Sequence, residues 1–130
     1  MPRFVVDETK VIHAEWWDED ETVTIKRFTF GDRQKLAQVA YKVGLVNPND
    51  GGGAQMSADI AIGEMNLAIL EIGILAWTLK GPEGKVMALR RAWIEALQDE
   101  DGNFILAEIN AYNPTKRRKP EDQANFRGGD

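Results

Sequence analysis

Apolar positions fall into three regimes along this chain. Near the start, Arg3 to Val6 and Val11 to Trp17 are rich in β-formers, Asp18-Glu19-Asp20-Glu21 makes a polar connection, and Thr22 to Phe30 is again a strand pattern. Two such runs around a polar turn predict an antiparallel hairpin. Val23 and Ile25 share one parity and Phe28 and Phe30 the other, which requires either a bulge near Lys26-Arg27 or two apolar faces. After Gly31, with Asp32 as the expected N-cap, Leu36, Val39, Ala40 and Val43 recur at helical spacing until Gly44. Asn47 to Gly53 combines breakers with three successive glycines and reads as a linker. The longest apolar run follows, a helix expected from Ser57 to Leu79 with Ser57 as its cap. Lys80-Gly81-Pro82-Glu83-Gly84 is a turn, and Val86 to Leu89 can pair or pack locally beyond it. Ala92, Trp93, Ala96 and Leu97 mark a short helix, Asp99 to Gly102 a break, and Phe104, Ile105, Ile109 and Tyr112 a last helix ended by Asn113-Pro114.

The expected fold class is therefore α+β, predominantly helical, with an N-terminal antiparallel β-hairpin followed by about four helices. Residues 1–114 form one globular domain, a hairpin region over 1–30 and a helical region over 31–114. Residues 115–130 form a basic C-terminal tail, Lys116 to Lys119 and beyond, with too few apolar residues to fold by itself.

The long helix pattern carries two stripes. Ala61, Ile62, Met65, Ala68, Ile69, Ile72, Leu75, Ala76 and Leu79 make a broad core face. On the other side Ile60, Leu67 and Ile74 recur every seventh residue beside Gly63, Leu70 and Trp77, interspersed with Asp59, Glu64, Asn66 and Glu71. Two readings stay open. The second stripe is covered by the hairpin or the C-terminal helices, as core stripes usually are, or it is left for a partner helix, with Gly63 and Gly73 permitting close approach.

Composition narrows the chemistry. The 130 residues are 43% apolar and 28% charged, a soluble globular balance. There is no cysteine and a single histidine, His13, so disulfides, thiolate metal sites and histidine clusters are excluded. The acidic groups inside the long apolar run argue against a membrane span, and the opening residues lack the pattern of a secretory signal. A net charge of −5 disfavours nucleic acid as a partner except through the basic tail. Neighbouring carboxylates at Asp18 to Glu21 project apart in a turn. Glu64 and Glu71 lie on one helix side about 10 Å apart, and neither group brings a base, a nucleophile or a metal set. The glycines at 51–53 lack the lysine and hydroxyl of a phosphate loop. Trp16-Trp17 on a strand would place one indole on each face. No catalytic residue, metal ligand or cofactor is expected.

The order of elements has a further meaning. IKRFTFGDRQKLAQ, the glycine-containing gap, NLAILEIGILAWTLKGPEGKVMAL and RRAWIEALQDEDGNFILAEINAYNP together resemble the tail assembly chaperones of long-tailed bacteriophages. The resemblance covers Thr22 to Pro114, and WTLKGPEGK, RAWIEAL and DEDGNFIL carry it jointly. Arg90-Arg91 departs from it, standing where a capping Ser or Thr would better begin the short helix.

The resemblance implies a non-enzymatic, mainly helical protein that coats and solubilises the tape measure protein in the host cytoplasm. Such a protein helps recruit tail tube protein and is absent from the mature virion. In many such phages a ribosomal frameshift adds a second domain, which would make this chain the shorter product. Leu67, Leu70, Ile74, Trp77 and Trp93 are the expected surface for the client or for self-association. A structural tail or head-completion component retained in the virion, and a small nucleic-acid regulator using the basic tail, are the alternatives.

Overall fold

The computed structural model describes residues 3, 5, 8–44 and 58–114. The expected strand at 3–6 is described only at Arg3 and Val5. The linker at 47–53, the Ser57 cap and the tail at 115–130 lie outside the described residues.

Three strands, β1 (Thr9–Ile12), β2 (Val23–Lys26) and β3 (Ile74–Trp77), form an antiparallel sheet in the order β1-β2-β3. Four helices, α1 (Phe30–Lys42), α2 (Ala58–Gly73), α3 (Arg91–Glu95) and α4 (Asp99–Tyr112), complete the α+β fold. The expected hairpin is present with Ile12 opposite Val23 and Lys10 opposite Ile25. Val23 and Ile25 are fully buried, and with Ile12, Ile74 and Trp77 they make the inner sheet face, which packs with Leu70, Ile94, Ile105 and Ile109. No helix among the described residues is long and apolar enough to cross a membrane.

The third strand corrects the expected helix from Ser57 to Leu79. Helix α2 stops at Gly73, and the next four residues pair with β2. Apolar residues continue in helical register across this point, and a short run such as Ile74-Leu75-Ala76-Trp77 fits either period. The unpaired edge of β2 decides in favour of the strand. A register irregularity between Thr24 and Ile25 leaves Leu75 without an opposite residue, so Ile74 and Trp77 both turn inward while Leu75 and Ala76 both face out. The bulge thus lies in the β2-β3 pairing and not near Lys26-Arg27.

Gly73 is required at this junction. A Cβ there would meet the Ile109 side chain at 2.8 Å, so the close approach that glycine permits is to the chain's own α4. At Gly63 a Cβ would meet nothing within 4 Å. Replacing Gly73 with alanine should destabilise the fold by about 1–3 kcal/mol through overpacking. In thermal denaturation the Gly73→Ala and Ile109→Ala losses should combine to less than their sum, because the second change removes the atoms that the first would strike. Strict additivity would refute the contact.

Two further expectations are revised. Thr29, not Asp32, caps α1: its hydroxyl accepts from the Asp32 N–H at 3.0 Å while the Asp32 carboxylate accepts from the Thr29 N–H at 2.9 Å. This reciprocal capping box pulls Phe30 into the helix, where it is 80% exposed, so it never joined a strand face. Burial would raise the Asp32 carboxyl, but the Thr29 N–H and the Lys26 ammonium, 2.9 Å away, outweigh it and hold the group below the ordinary aspartate range. Asp99 to Gly102 is likewise no break, since it is the first turn of α4, where Asp99, Glu100 and Asp101 complement the positive helix end. The short helix α3 buries Ile94 and partly buries Trp93, leaving Ala92 and Ala96 exposed, and Arg90 at its N-cap makes no side-chain capping bond.

Candidate functional site

The candidate site forms where β3 runs into the turn at Gly81-Pro82-Glu83-Gly84. Beyond Trp77 the chain reverses. Lys80 bridges Val86, the Gly81 N–H donates to the Lys85 carbonyl at 2.8 Å, and the Met87 N–H donates to the Leu79 carbonyl at 2.9 Å. Pro82 supplies a fixed φ at the second turn position, and Gly84 takes φ +78°, a left-handed value that suits glycine. The Trp77 indole donates to the Met87 carbonyl at 2.8 Å, tying the returning arm to the sheet.

Between this arm and the α3-α4 corner lies an open groove of about 430 Å³, within the size range of binding clefts. Trp77 and Leu79 form its floor, Met87, Trp93 and Leu97 its walls, and Lys80, Gln98 and Asp101 its polar margin. A second concavity of about 450 Å³ shares Pro82, Met87 and Trp93 with the first and reaches Val86, which is 54% exposed. Met87 closely approaches Gly81, where a Cβ would strike its thioether, and this flexible side chain lines both spaces.

The margin is held from the N-terminal region. The Lys80 ammonium lies 2.8 Å from Asp20 and 3.5 Å from Asp18, and the Lys80 N–H donates to the Glu21 carboxylate at 2.9 Å. The hydrogen bond to Lys80 draws the Asp20 carboxyl below its ordinary value, and the same bond raises Lys80, each against a smaller effect of desolvation. Three of the four adjacent carboxylates of the Asp18 to Glu21 turn thus anchor the hairpin. At the opposite corner the indoles of Trp16 and Trp17 both donate to Asp101 Oδ1, at 2.7 and 2.8 Å, and both rings meet Phe104 edge-on. These indoles converge and do not point to opposite sheet faces, because the chain turns at Ala14 to Trp17 and leaves the strand.

Of the five residues expected at a partner surface, Trp77 and Trp93 line this groove together. Leu70, Ile74 and Trp77 are only 4–8% exposed, and Leu67 is partly buried against the same core. Leu70 and Ile74 therefore belong to the interior, and Trp77 contributes only as a floor. The chain turns from helix to strand at Gly73, and the C-terminal part of the expected second stripe, Leu70, Ile74 and Trp77, packs into the core with α4 and the sheet, while Ile60 at its start stays exposed. Leu79, Pro82, Met87 and Leu97 also line the groove; the sequence marked Leu79 and Leu97 as apolar helix-face positions and Pro82 as part of a turn, with no signal that they meet.

Glu64 and Glu71, separated by two helical turns, are joined by Arg91, whose guanidinium lies 3.4 and 3.2 Å from them and 2.8 Å from Glu95. Among the described residues no three histidine or carboxylate side chains converge as a metal cluster. Comparison with protein-family models, with characterised proteins and with solved structures finds no match to this chain.

Proposed function

We propose that this chain is a tail assembly chaperone of a long-tailed bacteriophage and that its groove receives apolar side chains of the tape measure protein. One observation carries the reading. The three stretches on which the resemblance rests, Trp77 to Lys85, Arg91 to Leu97 and Asp99 to Leu106, all contribute to the lining or framing of the same groove. A groove walled by Met87 and Trp93 offers adaptable, sequence-tolerant contacts, and a net charge of −5 favours solubility of a coated client. Individually weak sites become effective when many copies bind one long chain. In this reading the protein is non-enzymatic, acts in the host cytoplasm, helps bring tail tube protein to the coated client and is absent from the finished particle.

The test is co-expression with a tape measure protein, the client that this reading assigns. Wild-type protein should keep that client soluble, and Trp93→Ala should weaken its binding by at least about tenfold, the loss typical of a buried aromatic anchor. Because Trp93 also supports the core, Ala96→Asp serves as a second variant. Ala96 lines the groove and is exposed, so this change should leave stability within about 0.5 kcal/mol while reducing client solubility. A client equally soluble without the protein, or with both folded variants, would sink the proposal. Mass spectrometry of purified particles separates it from a structural tail component.

A further inference from the structure

The groove carries one charge that its own chain leaves unanswered. Lys80 and Asp101 are the charged side chains that line it. The Lys80 ammonium is held by Asp20 at 2.8 Å and by Asp18 at 3.5 Å. Asp101 is different. The indole N–H groups of Trp16 and Trp17 both go to its Oδ1, and among the described residues no donor reaches Oδ2 and no lysine or arginine pairs with the carboxylate. Asp99 and Glu100 stand exposed beside it in the first turn of α4. The Asp18 to Glu21 turn follows Trp17, which is bound to Asp101, and ends at Glu21, which is bound to Lys80. The margin between Lys80 and Asp101 is therefore acidic.

Resting on the client reading for the groove as a polypeptide site, we infer that its occupant is a cationic amphipathic segment. Such a segment lays an apolar side chain against Trp77, Met87, Trp93 and Leu97 and brings a lysine or arginine to Asp101. Desolvation decides for the cation. An occupant that covers the groove strips water from Asp101, and an ionised carboxylate covered without a partner is strongly penalised. A neutral donor would satisfy the free oxygen but leave the charge and its acidic neighbours unbalanced, whereas an ammonium or guanidinium answers both. The Trp16 indole, 51% exposed at the same corner, adds an aromatic surface that attracts a cation. On a helical client an apolar residue and a lysine three or four positions apart project from one face. That spacing suits a groove whose apolar floor and acidic margin adjoin.

Three synthetic amphipathic peptides test it, alike in their leucine face and carrying lysine, glutamine or glutamate on the other. Binding to the full chain is read by fluorescence anisotropy at physiological ionic strength, which screens attraction from distant charges. The lysine peptide should bind at least about tenfold more tightly than the glutamine peptide, and the glutamate peptide more weakly than either. Asp101→Asn keeps an acceptor for the indoles and should bring the lysine peptide down to the level of the glutamine peptide, whose own affinity should not change. Ala96→Arg, at an exposed lining position, sets a cation of the chain's own on the groove wall and should abolish the preference. Glu8→Gln changes the net charge by the same amount beside Arg27, at the other end of β2 from Val23, the partner of Trp77, and should leave the preference intact.

Equal affinities for the three peptides overturn the inference and leave a purely apolar client site. A lysine preference that survives either Asp101→Asn or Ala96→Arg also overturns it, since the cation would then sit elsewhere on the acidic surface. So does a full chain that binds none of the peptides. A tape measure protein that the wild-type chain does not keep soluble, with the lysine preference present, instead removes the client and leaves the chemistry of the groove standing.

Discussion

Replacing Asn113 with leucine is expected to destabilise the protein by about 3 kcal/mol, because it leaves buried polar groups of two elements without partners. Asn113 is 5% exposed at the C-cap of α4. Its Oδ1 accepts from the Phe28 N–H at 2.6 Å, and its Nδ2 donates to the carbonyls of Lys26 and Ile109, each at 3.0 Å. The amide acts as a one-residue strand: it satisfies the backbone where β2 ends and α1 has not begun, and it ties that joint to the end of α4. Arg33 adds contacts to the carbonyls of Asn113 and Pro114 at 3.4 and 3.3 Å. Leucine matches the volume but supplies neither donor nor acceptor. In urea denaturation the midpoint should fall by roughly 1 M or more with an unchanged slope. Asn113→Asp should cost a similar amount at neutral pH, since a carboxylate would face two carbonyls. A loss below about 1 kcal/mol for leucine would mean that water reaches these groups and that the amide is dispensable.

The second large effect is expected at Asp101. Two indole N–H groups converge on its Oδ1, and the carboxylate stands in the first turn of α4, where the helix dipole favours negative charge. Asp101→Ala should cost about 2–3 kcal/mol, most of it from partly buried Trp17, since the more exposed Trp16 can turn to water. The tryptophan emission should shift to longer wavelength as the pair separates from Phe104. Asp101→Asn keeps an acceptor and should retain roughly half of the stability. Unchanged emission and stability in the alanine variant would show that the two indoles are held by packing alone. Since Asp101 also borders the groove, alanine there should loosen the corner that Trp93 and Leu97 form with it.

Both residues show what sequence patterns can and cannot reveal. Asn113-Pro114 is legible as a helix stop, and Gly44, with φ +83°, as the stop of α1. Neither pattern says that the Asn113 side chain reaches back across the domain to Lys26 and Phe28. The capping box at Thr29 was present in the sequence as Thr-x-x-Asp, but strand-like Phe28 and Phe30 on either side masked it. Trp16-Trp17 signalled anchoring aromatics. Their common acceptor lies more than eighty residues away, a pairing that local spacing cannot encode.

The same division holds for the fold and its candidate site. Local information was sufficient for the hairpin around Asp18 to Glu21, the amphipathic α1, the glycine turn after Lys80 and the α4 face of Phe104, Ile105, Ile109 and Tyr112, because each depends on contacts within a turn or one period. Tertiary structure decided where α2 ends. Ile74 to Trp77 has no strong local preference, so the open edge of β2 and the fit of Gly73 against Ile109 select a strand. That choice sends Leu70 and Ile74 into the core and makes Trp77 the floor of a groove with Met87 and Trp93, since residues on one helix stripe diverge once the backbone changes period.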